Sequence, residues 1–264
     1  MVHTNSPIGF FDSGVGGTSI WQEVVARLPK EHTIYLSDSE NAPYGEKSKE
    51  KIIALCKKNT EFLLQKNCKI IVVACNTATT NAIDFLRNNY NIPFIGIEPA
   101  IKPAALSTKT KKIAILATKG TLNSTLFEKT SSIINKDIEI QETTGKGLVA
   151  LIEEGKLNSK EMTSLLASYL KPMVANDIDS LVLGCTHYPY LIPQIKKIIG
   201  EKIQIIDSGE AVARQTQVVL NKHNIANTSN NPTHIIYTNK DTAILQNLLS
   251  KCMQEDLRIL KEMF

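Results

Sequence analysis

Ile70-Ile71-Val72-Val73-Ala74-Cys75-Asn76-Thr77 and Ser180-Leu181-Val182-Leu183-Gly184-Cys185-Thr186-His187 are the two stretches that decide the fold. Each is an unbroken apolar run that ends in a cysteine and continues into small hydroxyl or amide residues. A run without polar alternation reads as a strand buried on both faces, as in parallel sheets covered by helices. Comparable runs lie at Ile8 to Phe11, Thr33 to Leu36, Phe94 to Ile97, Lys112 to Ala117, Ile138 to Gln141, Ile203 to Ile206 and His234 to Tyr237. The segments between them are mostly amphipathic. Ser48 is placed to cap a helix carrying Ile52, Leu55, Cys56, Phe62 and Leu63, and Ser159 precedes Leu165, Leu166, Tyr169 and Leu170. Strand and helix alternate, so the chain is predicted to be α/β with mostly parallel sheets.

The two cysteine stretches fall in different halves of the chain, and a weaker echo joins the halves. Ile8 to Gly14 and Ile113 to Gly120 each read as a strand, a small-residue turn and the start of a helix. Two similar halves facing each other are expected, with one boundary near Glu98-Pro99 and a return crossing near Asp207-Ser208. The predicted domains are 1–97 plus 208–264, and 98–207. In open α/β sheets ligands bind beyond the carboxyl ends of the strands, where both cysteines lie.

Bulk properties exclude several function classes. The 264 residues carry a formal charge of +4 from scattered lysines, with no basic run interleaved with aromatics, so nucleic-acid binding is not indicated. The start of the chain lacks a signal-peptide pattern, and no apolar run approaches the roughly 20 residues of a membrane span. A cytoplasmic protein is expected. Five cysteines without CxxC or zinc-like spacing point to reduced thiols and to no metal site.

Four stretches carry candidate chemistry. In Asp12-Ser13-Gly14-Val15-Gly16-Gly17-Thr18-Ser19 the glycines allow a tight strand-to-helix turn, and they also let backbone amides approach an anion at a helix N-terminus. The spacing fits neither a dinucleotide fingerprint nor a P-loop, so a carboxylate is the more economical ligand. Asp38-Ser39-Glu40-Asn41-Ala42-Pro43-Tyr44-Gly45 reads as a polar loop that projects a phenol over a small ligand, or as a plain surface turn. The cysteine stretches are the third and fourth. A lone cysteine after a strand is usually a small buried hydrophobe, but matched placement favours function. Asn76, Thr77 and Thr186 are donors for a carboxylate, and His187 can change its protonation beside Cys185. Cys56 reads as core, Cys68 and Cys252 as residues of polar surroundings, Trp21 as buried, and the Glu153-Glu154 pair as a solvated helix end.

Together these residues resemble the cofactor-independent glutamate racemases of the aspartate/glutamate racemase superfamily. The likeness rests on FDSGVGG at Phe11 to Gly17, PYG at Pro43 to Gly45, ACNTAT at Ala74 to Thr79 and LGCTHYP at Leu183 to Pro189. It implies two pseudo-symmetric α/β domains with the active site in the cleft between them, no cofactor and no metal, and a homodimer. It implies that Cys75 and Cys185 exchange the α-proton of glutamate, Cys75 on the D-isomer and Cys185 on the L-isomer, in the supply of D-glutamate for peptidoglycan. Asp12 is expected to assist Cys75 and His187 to assist Cys185, with Asp38 and Glu153 as further catalytic acids. Asp12, Ser13, Tyr44, Gly45, Asn76, Thr77, Thr186 and His187 are the implied substrate contacts. Thr18 and Thr80 depart from the common pattern and are expected to touch only helix packing behind the site. Two other readings stand beside this one: a racemase of aspartate or a related amino acid, and a non-catalytic carboxylate-binding module.

Overall fold

A computed structural model describes residues 3–134, 137–228, 230–250 and 257–264. Its strands are β1 (Ile8–Asp12), β2 (Thr33–Ser37), β3 (Ile70–Val73), β4 (Phe94–Ile95), β5 (Lys112–Ala117), β6 (Glu139–Thr144), β7 (Ser180–Gly184), β8 (Gln204–Ile206), β9 (His234–Thr238) and β10 (Leu257–Lys261). The helices are α1 (Thr18–Arg27), α2 (Lys49–Gln65), α3 (Asn76–Asn89), α4 (Ile101–Ser107), α5 (Lys119–Leu122), α6 (Thr125–Ser132), α7 (Leu148–Glu153), α8 (Lys160–Ala175), α9 (Ile192–Ile199), α10 (Gly209–Lys222) and α11 (Ala243–Leu249).

Among the described residues the strands form two sheets, in the orders β10-β9-β2-β1-β3-β4 and β6-β5-β7-β8. Every pairing is parallel. The run β2-β1-β3-β4 in one sheet has the same order as β6-β5-β7-β8 in the other, so the weak echo in sequence corresponds to a repeated topology. The central strands β1, β3 and β7 are buried along their whole length, which is why they read as continuous apolar runs. Strand β6 is mostly polar and half exposed, so its position is shifted from the expected Ile138 to Gln141. Strand β10 was not expected: only Leu257 is buried, and Arg258 and Lys261 place charge on an edge strand that, among the described residues, pairs with β9 alone.

Helices begin where hydroxyls can accept the first free amides. The Ser48 and Ser159 side chains accept from the N–H groups of Lys51 (3.3 Å) and Met162 (3.0 Å). At the crossings between the sheets, the Ser208 hydroxyl donates to the Glu98 carbonyl at 2.6 Å and ties the outgoing and returning chain together. Trp21 is buried as expected, and its indole N–H donates to Thr33 Oγ1. Cys68, expected in polar surroundings, is instead buried against Gly9 and Leu63; the lysines around it in sequence gave the wrong environment. Cys252 lies outside the described residues. Among those residues no helix is long and apolar enough to cross a membrane.

Candidate active site

Strands β3 and β7 occupy equivalent places, and each delivers its cysteine to one small cavity of about 10 Å³. The cavity is also lined by Ser13, Tyr44, Gly45, Asn76, Thr77, Thr186 and His187, and by Pro43, Thr118 and Val149, which sequence reasoning did not single out. The backbone folds this way because each strand ends at a small residue and the chain turns at once: Cys75 caps α3, its sulfur accepting from the N–H of Ala78 at 3.4 Å. A helix N-terminus favours negative charge, so this sulfur sits at a favourable pole.

The surroundings of Cys75 come from its own sheet. Its thiol donates to Ser13 Oγ at 3.7 Å, and Ser13 Oγ donates to Asp12 Oδ1 at 3.3 Å. Asp12 is fully buried and accepts the Gly17 N–H at 2.7 Å. Burial raises the Asp12 carboxyl above its ordinary range and outweighs the charge of His187 and the bonds to Cys75 and Gly17, which act the other way. Burial, and then the neighbouring Asp12 charge, push the Cys75 thiol well above its ordinary value, so it rests protonated.

The surroundings of Cys185 are cationic and span both sheets. Its sulfur lies 3.7 Å from His187 Nδ1, and His187 Nε2 lies 2.6 Å from Glu153 Oε1. Burial opposes a charge on His187, but the bonds to Cys185 and Glu153 and the charge of Asp12 raise the imidazole well above its ordinary value. Glu153 shows the reverse balance. Burial works to raise it, and His187, the Val15 N–H (2.6 Å) and the Ser39 hydroxyl (2.8 Å) hold it below its ordinary value. Its neighbour Glu154 is exposed and pairs with Lys156 at 2.7 Å. Glu153 is therefore the carboxylate that reaches His187, and the expectation of a solvated pair holds only for Glu154.

The glycine-rich turn after β1 does receive an anion through backbone amides, but the anions are the protein's own carboxylates, Asp12 and Glu153. A Cβ on Gly14 would lie 1.9 Å from Glu153 Oε1, and one on Gly16 would lie 2.1 Å from His187 Nδ1. The glycines leave room for the opposing sheet's dyad. Thr18, expected to touch only packing behind the site, shares a 2.5 Å hydrogen bond with the Tyr190 hydroxyl, and Ser19 Oγ donates to the Thr186 carbonyl at 2.9 Å. Thr80 stays within its helix, donating to the Thr77 carbonyl.

Asp38 is not among the described residues that line the cavity. Its carboxylate accepts from the Tyr44 hydroxyl, from Asn41 (2.8 Å) and from Asn239 (2.5 Å), so it fixes the loop that carries Tyr44 and Gly45. Asn239, from the end of β9, was missed because it lies 201 residues from its partner. Thr118 and Thr121 were missed as well. Their hydroxyls and that of Thr77 form a triangle of 2.8, 3.3 and 3.0 Å that joins the two sheets' turns. Asn76 carries a buried side-chain N–H₂ with no hydrogen-bond partner among the described residues, a donor ready for a ligand oxygen.

Two buried thiols on one cavity, one beside a carboxyl and the other beside an imidazole–carboxylate pair, define an acid–base site that can address a small molecule from two sides. The family described as Asp/Glu/Hydantoin racemase matches residues 11–216, and the chain belongs to it. A glutamate racemase of Herpetosiphon aurantiacus is 44% identical over 216 residues, which is 82% of this chain and 85% of that one. A solved glutamate racemase isoform of Bacillus anthracis superposes with a TM-score of 0.86 at 32% identity, covering 99% of both chains. The Escherichia coli glutamate racemase in complex with L-glutamate and the activator UDP-MurNAc-Ala gives 0.85 at 31% identity, covering 98% of this chain and 99% of that one.

Proposed function

We propose that this protein is a glutamate racemase that interconverts the L- and D-isomers by two-thiol proton transfer at the α-carbon, without a cofactor. The observation that carries the reading is the pair of buried cysteines on one cavity, each with its own ionisable partner. The glutamate racemases that share 39 to 44% identity over most of the chain support glutamate as substrate. The product D-glutamate serves peptidoglycan synthesis, and the protein works as a cytoplasmic homodimer. The domains of the reading are 1–97 with 208–264, and 98–207. The first range holds the six-stranded sheet and the second the four-stranded one.

In the L-to-D direction Cys185 acts as thiolate, with the His187 cation 3.7 Å away, and removes the α-proton. The Cys75 thiol returns a proton from the other face. Thiols ordinarily titrate near ~8.5, and the α-proton of an amino acid is far less acidic, so charge on the substrate must be stabilised as it develops. On this reading Asn76, Thr77, Ser13 and Thr186, which line the cavity, donate to the substrate carboxylate. Thr118 and Thr121 extend that hydroxyl wall. Asp38 acts at one remove by holding Tyr44.

The closed cavity has room for about one water molecule, far less than glutamate needs. Beside it lies an open cavity of about 720 Å³ that shares Pro43, Gly45, Thr118 and Val149 with it. Substrate therefore enters by parting of the two sheets on that side, and closure excludes water before proton transfer.

The test is incubation of each enantiomer of glutamate and of aspartate in deuterated water. Racemisation of glutamate with α-deuterium in the product is expected. Exchange with none of the four compounds would identify a binding module instead, and faster turnover of aspartate would reassign the substrate.

A further inference from the structure

Glu153 is the last residue of α7, where the helix carbonyls repel negative charge. Its own helix does not hold the carboxylate in place. The hydrogen bonds that do so come largely from the other sheet's turns: the Val15 N–H after β1 donates to Oε1 at 2.6 Å, and the Ser39 hydroxyl after β2 donates to Oε2 at 2.8 Å. Ser39 Oγ is in turn 3.0 Å from the Ser37 hydroxyl at the end of β2, and both serines are buried. His187, which Glu153 contacts through Oε1, belongs to the same side of the cleft as Glu153.

On the functional reading above, we propose that Ser39 is a positioning residue that, with the Val15 amide, assembles the Glu153–His187 pair behind Cys185 only when the cleft is shut. The closed cavity is too small for substrate, so the sheets must part in every cycle, and parting separates Ser39 and Val15 from Glu153. On closure Ser39 fixes the second carboxylate oxygen and thereby the rotation of the carboxyl group. The first oxygen then meets His187 Nε2, and the imidazole presents Nδ1 to Cys185. Cys75 has no such dependence, because Asp12 and Ser13 reach it from its own sheet. Ser39 thus makes one of the two thiols sensitive to closure.

The two enantiomers have equal free energy in water, so any variant must lose kcat/KM equally in both directions. The direction-specific signature lies in the primary isotope effect on kcat/KM for glutamate carrying deuterium at the α-carbon. Ser39→Ala is expected to lower kcat/KM about tenfold, less than the ~10²–10⁴-fold that an acid–base residue contributes, because the pair is loosened and not removed. Because only the Cys185 step slows, the isotope effect rises from the L-isomer and falls from the D-isomer. Ser39→Thr keeps the hydroxyl and restores parental values, and Ser39→Cys, a weaker donor of similar size, gives the same pattern in smaller degree if the alanine variant does not fold. A loss of activity with both isotope effects unchanged reduces Ser39 to a structural residue and overturns the inference, as does unchanged activity. A parent enzyme that fails to racemise glutamate refutes the functional reading and this inference with it; a racemising parent whose variants leave the isotope effects unchanged refutes the inference alone.

Discussion

The Cys75 and Cys185 half-sites sit at the same point of a repeated topology, yet their electrostatics are of opposite sign. Cys75 faces a buried carboxyl and is pushed towards the thiol. Cys185 faces an imidazole that its neighbours hold charged. The backbone repeat supplies two sulfurs on one cavity; the side chains around them set which is the resting acid and which has a cation at hand. A second difference is the origin of the helpers. Asp12 and Ser13 are sixty-odd residues from Cys75 and on the same sheet, whereas the Cys185 helper is completed across the cleft by Val15 and Ser39.

The comparison breaks most sharply at the sulfurs. Cys75→Ser and Cys185→Ser are each expected to lower racemisation by at least about a thousandfold. Cys75→Ser keeps α-hydrogen exchange from L-glutamate, and Cys185→Ser keeps it from D-glutamate, both read by mass spectrometry in deuterated water. Exchange from the same isomer in both variants would show that the thiols do not serve opposite faces. A smaller effect, about a hundredfold, is expected for Asp12→Asn and for His187→Asn. Their isotope effects move in opposite senses: His187→Asn raises the effect from the L-isomer and Asp12→Asn raises it from the D-isomer.

The smallest expected effect is on stability, and it too differs in sign between the half-sites. His187 is raised above its ordinary 6.5, so its contribution is fully present below that pH and is lost as pH rises through the raised value. Glu153 is lowered from 4.5, so its contribution is present above that pH and lost as pH falls through the lowered value. Asp12 is raised from 3.8, so the stability linked to its protonation is lost as pH climbs through its raised value, above which its buried charge is a cost. Thermal melts at pH 7 are expected to show a lower Tm for His187→Asn and a higher Tm for Asp12→Asn, and the His187→Asn difference shrinks as pH rises towards alkaline values. Equal melts for both variants would remove the electrostatic contrast.

Most of this was legible in the chain where burial and local order coincide. The nine expected strands lie close to the observed ones because parallel strands covered on both faces leave continuous apolar runs. The thiols stood out because their placement repeats. What sequence did not show depends on partners far apart or on edges. Ser39 and Glu153 are separated by 114 positions, and Asp38 and Asn239 by 201. Strand β10 carries charges as an exposed edge does, and the polar β6 was expected only over its first residues because its later ones carry no apolar run. The glycines of the first turn were read as an anion cradle, which is right in chemistry, but only the fold reveals that the anions are Asp12 and Glu153.

The hydrogen bond from Ser208 to the Glu98 carbonyl binds two crossings of the chain side by side. A joint made of two adjacent pins resists twist and sideways slip far more than it resists swing. On the proposed cycle of opening and closing, the mouth of the cleft gapes and shuts as a door does, returning to the same latch point each time, and the alignment of the two sulfurs is inherited from the joint instead of being searched for anew in every turnover.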